Sequence, residues 1–106
     1  MAIRKIIWSR TAYLQRKNIL LYWVDKNKSN IFSIKLLKQT QKATKQLAQF
    51  PYLGKVTDIE NVYCFAMGNY NLYYTFSSEL DIQIVTFWDN RQNPEILNVL
   101  ISLFKK

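Results

Sequence analysis

The residues that can do chemistry in this chain are few, and their types narrow the options at once. There is no histidine and a single cysteine, Cys64. Every mechanism built on an imidazole base is excluded, as are zinc or iron sites built from His and Cys. Cys64 has no base partner to make it a nucleophile and reads as a small, buried residue. What remains is cationic. Arg91 lies in the stretch Trp88-Asp89-Asn90-Arg91-Gln92-Asn93-Pro94, where an apolar strand ends and a helix begins. A guanidinium there can hold a phosphate through two parallel hydrogen bonds. The alternative is a brace, in which Arg91 pairs with Asp89 across the turn. Lys55 follows Gly54 on a predicted loop and is a second candidate phosphate contact. Glu60 is the candidate base, with an ordinary exposed carboxylate as its alternative. Tyr73 and Trp88 are candidates for stacking on unpaired bases or on a partner.

These groups need a scaffold. The chain has 106 residues, 49% of them apolar or aromatic, with two glycines and two prolines. That suits one domain, residues 1–106, with a single buried core and no staples. No apolar run, Ile19–Val24 included, is longer than six residues, far from the about 20 that a membrane helix needs. No apolar region of the roughly 7–15 residues a leader needs follows the N-terminal Met-Ala-Ile-Arg-Lys, so no secretory leader is expected. With one cysteine, a cytoplasmic setting is expected.

The net charge of +8 is concentrated. Residues 9–49 hold nine Lys and Arg against Asp25 alone, while the rest of the chain balances six basic against six acidic residues. Such a field favours nucleic acid or an acidic protein segment. Lys38 and Lys42, four apart on one helix face, are its candidate contacts. A solvated helix face is the alternative.

Periodicity sets the elements. Ile3–Trp8 reads as a strand. Ser9 is a good cap, and no Pro or Gly follows until Pro51. Asn27-Lys28-Ser29-Asn30 divides this stretch into helices of roughly 10–26 and 31–49, with Ser29 or Asn30 capping the second. Ala12, Ile19, Leu20, Trp23 and Val24 mark the inner face of the first helix. Leu36, Ala43, Leu47 and Phe50, with Leu37 beside them, mark that of the second. After Pro51 and Gly54 the period falls to about 2. Tyr63–Met67 and Tyr70–Phe76 form a hairpin about Gly68-Asn69, with Leu72, Tyr74 and Phe76 on one face and Tyr73 on the other. Ile82–Trp88 is apolar enough to be covered on both faces. Asn93-Pro94-Glu95 starts a last helix of roughly 94–104, with Leu97, Leu100, Ile101 and Phe104 inward. The expected class is α+β. A small, mainly antiparallel four-stranded sheet is packed by a helical hairpin, in the order β-α-α-β-β-β-α.

The ordered set Ile6-Ile7-Trp8-Ser9 with Ala12, Ile19 with Tyr22-Trp23, Phe50-Pro51-Tyr52-Leu53-Gly54, Gly68-Asn69-Tyr70 with Tyr73-Tyr74, and Phe87 through Pro94 resembles the RelE/ParE toxins of type II toxin–antitoxin systems. The resemblance runs through nearly the whole chain. It implies a growth-arresting toxin held inactive by a cognate antitoxin, whose acidic segment is expected on the sheet's open face, the hairpin helices or both. It implies no cofactor. Some members cut mRNA on the ribosome and others poison DNA gyrase, and the resemblance does not choose between them. Metal-free RNA cleavage needs a group to activate the 2′-OH, one to stabilise the phosphorane and one to protonate the leaving oxygen. Arg91 suits the second role, with Lys55 a further phosphate contact and Glu60 a conceivable base, and the other roles are poorly filled. The cleaving branch carries basic residues on the middle strands and an aromatic or His partner near the C-terminus. Here Cys64-Phe65-Ala66-Met67 supplies no cation, and Leu103-Phe104-Lys105-Lys106 supplies no Tyr or His. A non-toxic relative that keeps only antitoxin or nucleic-acid binding is the alternative.

Overall fold

A computed structural model describes residues 3–105. Its elements are β1 (Lys5–Trp8), α1 (Arg10–Asn27), α2 (Ile31–Gln49), β2 (Lys55–Val56), β3 (Tyr63–Met67), β4 (Tyr70–Phe76), β5 (Asp81–Asp89) and α3 (Pro94–Lys105). The class is α+β, as expected, but the sheet has five strands in the order β1-β5-β4-β3-β2. The added strand is the two-residue β2, which pairs Lys55 with Cys64 and Val56 with Tyr63. Two residues are too short for a period to show. β1 lies parallel to β5, its return running through the α1–α2 hairpin, and every other pair is antiparallel.

Ser9 starts α1 by holding two elements together. Its Oγ accepts from the Ala12 N–H at 3.0 Å and donates to the Val85 carbonyl of β5 at 2.9 Å. Lys28, in the left-handed region with φ 52° and ψ 31°, ends α1. Asn30 takes the capping position of α2 without a side-chain bond, and the neighbouring Ser29 hydroxyl accepts from the Ile31 N–H. Asn93 Oδ1 accepts from the Glu95 N–H at 2.9 Å at the start of α3.

A register shift sits between Tyr73 and Tyr74, where Tyr73 pairs with Thr86 but Tyr74 pairs with Ile84. Val85 is the extra residue, and the bulge resets which side chains face which layer. Ile82, Ile84 and Phe87 join Leu72, Tyr74, Leu36, Ala43 and Leu47 in the core beneath α1 and α2. Val85 and Trp88 turn to the other face, where they meet Val62, Leu97 and Ile101 of a second core under α3. Gln15 of α1 reaches the bulge, its Oε1 accepting from Thr86 Oγ1 at 2.7 Å and from the Phe87 N–H at 3.0 Å.

Two side chains differ from their expected places. Val24 is 37% exposed and Phe50 is 59% exposed. α1 is apolar around much of its circumference, so Leu21, Tyr22 and Val24 face solvent beside its inner stripe. Phe50 is the residue after α2, with φ −129° and ψ 77°, so the helical spacing no longer aims it inward. Ile3 precedes β1, and the side chain of Phe104 lies outside the described residues.

Ser9→Ala removes both hydroxyl bonds while leaving the Val85 carbonyl buried. The expected cost is about 1–2 kcal/mol, read as a lower urea midpoint at unchanged slope. A shift under about 0.3 kcal/mol would show that the cap contributes nothing.

Candidate partner-binding site

The end of β5 is pinned to the β3–β4 hairpin. The Asn90 N–H donates to the Asn69 carbonyl at 2.9 Å, and Asn90 Nδ2 donates to the Gly68 carbonyl and to Asn71 Oδ1. Gly68, at φ 76°, gives the tight turn that makes this possible. The chain then places Asp89 and Arg91 at the mouth of a cleft of about 430 Å³ between β5 and the second half of α1. Ile19 and Trp23 of α1 and Tyr70 of β4 form its walls, with Asn18, Tyr22 and Gln92 around them.

Arg91 is a brace. Its Nε–H donates to Asp89 Oδ1 at 2.9 Å and its Nη2–H to Oδ2 at 2.8 Å, and its backbone N–H also donates to Oδ1 at 2.9 Å. This bidentate pair holds the Asp89 carboxyl below the usual carboxylate range, the hydrogen bond from the guanidinium being the main cause. The same pairing raises the Arg91 pKa further, so it stays charged at any ordinary pH. Arg91 Nη2 also reaches the Tyr70 hydroxyl at 3.4 Å, and the guanidinium lies 5.7 Å from the centre of the Trp23 ring. The Tyr70 oxygen accepts a second bond, from Trp23 Nε1–H at 2.8 Å. One network therefore links β5, β4 and α1. The fork expected to grip a phosphate is closed on Asp89, although the Arg91 side chain remains 56% exposed.

The other candidates stand elsewhere. Lys55 is in β2, at the far edge of the sheet and beside the start of β3. Arg91 follows the opposite end, on the rung of Met67, Tyr70 and Asp89. Glu60 is exposed in the turn between β2 and β3. The three expected catalytic groups are not brought together. Burial pushes the Cys64 thiol pKa up, so it is protonated at neutral pH. Lys38 and Lys42 are exposed on α2. Tyr73 is half-buried against the second core. Trp88 is 4% exposed beneath α3, which corrects its expected stacking role: on this strand the bulge turned it into the core.

Of the cleft residues, Asn18 carries no signal in the sequence, Tyr22 and Gln92 enter only through the family resemblance, Trp23 also through the inner face of its helix, and Tyr70 also as one of several tyrosines able to stack. One signal was available. An indole N–H on a helix packed against a sheet needs an acceptor, and the tyrosine opening the return strand was one.

Residues 6–94 match the sequence profile of the family described as the ParE toxin of type II toxin-antitoxin system, parDE. The chain belongs to the ParE toxin family. No curated protein matches it in sequence. In structure it is similar to a chain of the chromosomal ParDE TA system from P. aeruginosa, with a TM-score of 0.72 at 15% identity, covering 84% of this chain and 98% of that one. That likeness speaks for the fold. Membership in the ParE family makes this a type II toxin with a cognate antitoxin as partner. Among the described residues no helix is long and apolar enough to cross a membrane. The family match ends at Pro94, so nearly all of α3 lies beyond it.

Proposed function

We propose that this ParE-family toxin arrests growth in the cytoplasm by binding DNA gyrase, and not by cutting mRNA. The closed Arg91–Asp89 pair is the observation that carries the reading. A phosphorane needs an uncommitted cation aimed at it, with a base and an acid nearby. Here the best-placed cation is engaged by a carboxylate, and Lys55 and Glu60 belong to other parts of the sheet. Inhibition by binding asks only for a surface. The α1–α2 hairpin offers one, with a segment charge of +8 and Lys38 and Lys42 four residues apart.

Purified toxin, at roughly micromolar concentration, is expected to block gyrase supercoiling and to accumulate cleaved DNA. Reversing the charge at both Lys38 and Lys42 is expected to weaken this at least about tenfold, or ~1.4 kcal/mol. The cognate antitoxin should restore supercoiling in the same assay. Uninhibited gyrase, together with mRNA cuts on translating ribosomes that Arg91→Ala reduces about tenfold, would return the protein to the cleaving branch. Harmless expression without the antitoxin would leave it a non-toxic relative.

A further inference from the structure

The cleft between α1 and β5 is built in two electrostatic zones. One side of it is an ion pair. Asp89 neutralises Arg91 there, and Asp89 is the carboxylate among the lining residues. Its walls are the apolar and aromatic faces of Ile19, Trp23 and Tyr70, with Trp23 locked in orientation by its bond to Tyr70. Its rim is positive. Lys26 Nζ lies 5.6 Å from the centre of the Tyr22 ring and 5.5 Å from that of Trp23, and it donates to the Tyr22 hydroxyl at 3.3 Å. The aromatic surface continues outward, since the Trp23 ring is 5.1 Å from Tyr22 and 4.9 Å from Phe32 of α2. Tyr22 is 54% exposed.

The geometry points to an anchor pocket for a polypeptide partner, taking one bulky aromatic side chain from an acidic segment whose neighbouring carboxylate pairs with Lys26. A phosphodiester suits that side poorly, because any anion placed on Arg91 must approach Asp89 as well. An uncharged ring meets no such penalty. It gains edge and face contacts with the aromatic walls, worth about 0.5–1.5 kcal/mol per pair beyond the area buried. The volume lies toward the lower end of the roughly 300–1,000 Å³ typical of ligand pockets, a fit for one large side chain. Interface energy concentrates in such aromatic anchors set into preformed pockets, while the surrounding +8 segment draws an acidic chain toward the rim. The assignment rests on the ParE family's need for a protein partner and not on the gyrase reading, so each can fail without the other.

The test uses isotope-labelled full-length protein and an unlabelled short peptide with one tryptophan between glutamates. The chain has three tryptophans, each with its own indole N–H resonance. The Trp23 resonance is expected to move on titration while that of Trp88, on the other face, stays. Replacing the peptide tryptophan by alanine should weaken binding at least about tenfold. Tyr22→Ala and Lys26→Glu in the protein should each do the same, and Lys45→Glu on α2 should not. All three positions are exposed, so the variants keep the fold. Peptide binding that leaves the Trp23 resonance in place, or that ignores Tyr22 and Lys26, would overturn the assignment. So would no detectable binding of the peptide, or a matched single-stranded oligothymidylate shifting Trp23 in the peptide's stead.

Discussion

Trp88→Ala is expected to destabilise the protein by about 3–5 kcal/mol, the usual cost of emptying a buried aromatic site. The indole is 4% exposed and packs with Val62, Val85, Leu97 and Ile101. This second core is small. One large ring makes up much of it, and the neighbours cannot collapse into the space without moving α3 or the β2–β3 turn. The loss is comparable with the whole stability of a marginal domain, about 5–15 kcal/mol, so a melting point lower by more than about 10 °C is expected. Trp88→Phe keeps most of the volume and should cost less than half as much. If Trp88 instead displayed its ring for stacking on a ligand, the alanine variant would unfold like the parent, within about 0.5 kcal/mol, and lose only binding. Urea denaturation of the two variants separates these outcomes.

The sequence shows the elements well because local chemistry marks their ends. Ser9, Pro51, the Gly68-Asn69 turn and Asn93-Pro94 each stop or start the chain for a reason confined to a few residues. The strands 63–67 and 70–76 and both hairpin helices stand within about a residue of their predicted bounds. What the sequence does not show is non-local. Simple alternation along β5 puts Ile82, Ile84, Thr86 and Trp88 on one side. The bulge at Val85 depends on pairing with β4, and it breaks that count. The pairing of Arg91 with Asp89 was one of two readings open from spacing, because residues two apart in a turn can pair or diverge according to backbone angles. The cleft was less legible still. Its walls come from α1, β4 and the end of β5, segments far apart in the chain, and the antiparallel pairing that sets Tyr70 opposite Asp89 and the packing of α1 on β5 bring them to one place.

The hinge between the helical hairpin and the antiparallel strands turns on one phenol, and the largest local effects after Trp88 are expected there. Tyr74 is fully buried. Its hydroxyl accepts from the Gly54 N–H at 3.0 Å and donates to the Pro51 carbonyl at 2.8 Å. Its ring stacks on Tyr63 at 5.6 Å and meets Phe76 edge-on at 6.1 Å. Burial raises the phenol's pKa, so it stays a proton donor across the neutral range. Tyr74→Phe leaves Gly54 and Pro51 without these partners and should cost about 1–3 kcal/mol. Tyr74→Ala adds a cavity and should reach about 3–5 kcal/mol. The turn is as tight from the other side. A Cβ on Gly54 would lie 2.6 Å from the Tyr74 hydroxyl oxygen and 2.8 Å from the Cys64 carbonyl oxygen. Gly54→Ala is therefore expected to cost about 1–3 kcal/mol by overpacking. Combining it with Tyr74→Phe removes the nearest of those atoms but not the backbone one. The double variant should then lose less than the two single losses added, by at least about 0.5 kcal/mol. Additive losses would mean that the phenol and the turn do not act on each other. A neutral Tyr74→Phe would detach β2 and the Phe50–Gly54 turn from the role given to this hydroxyl.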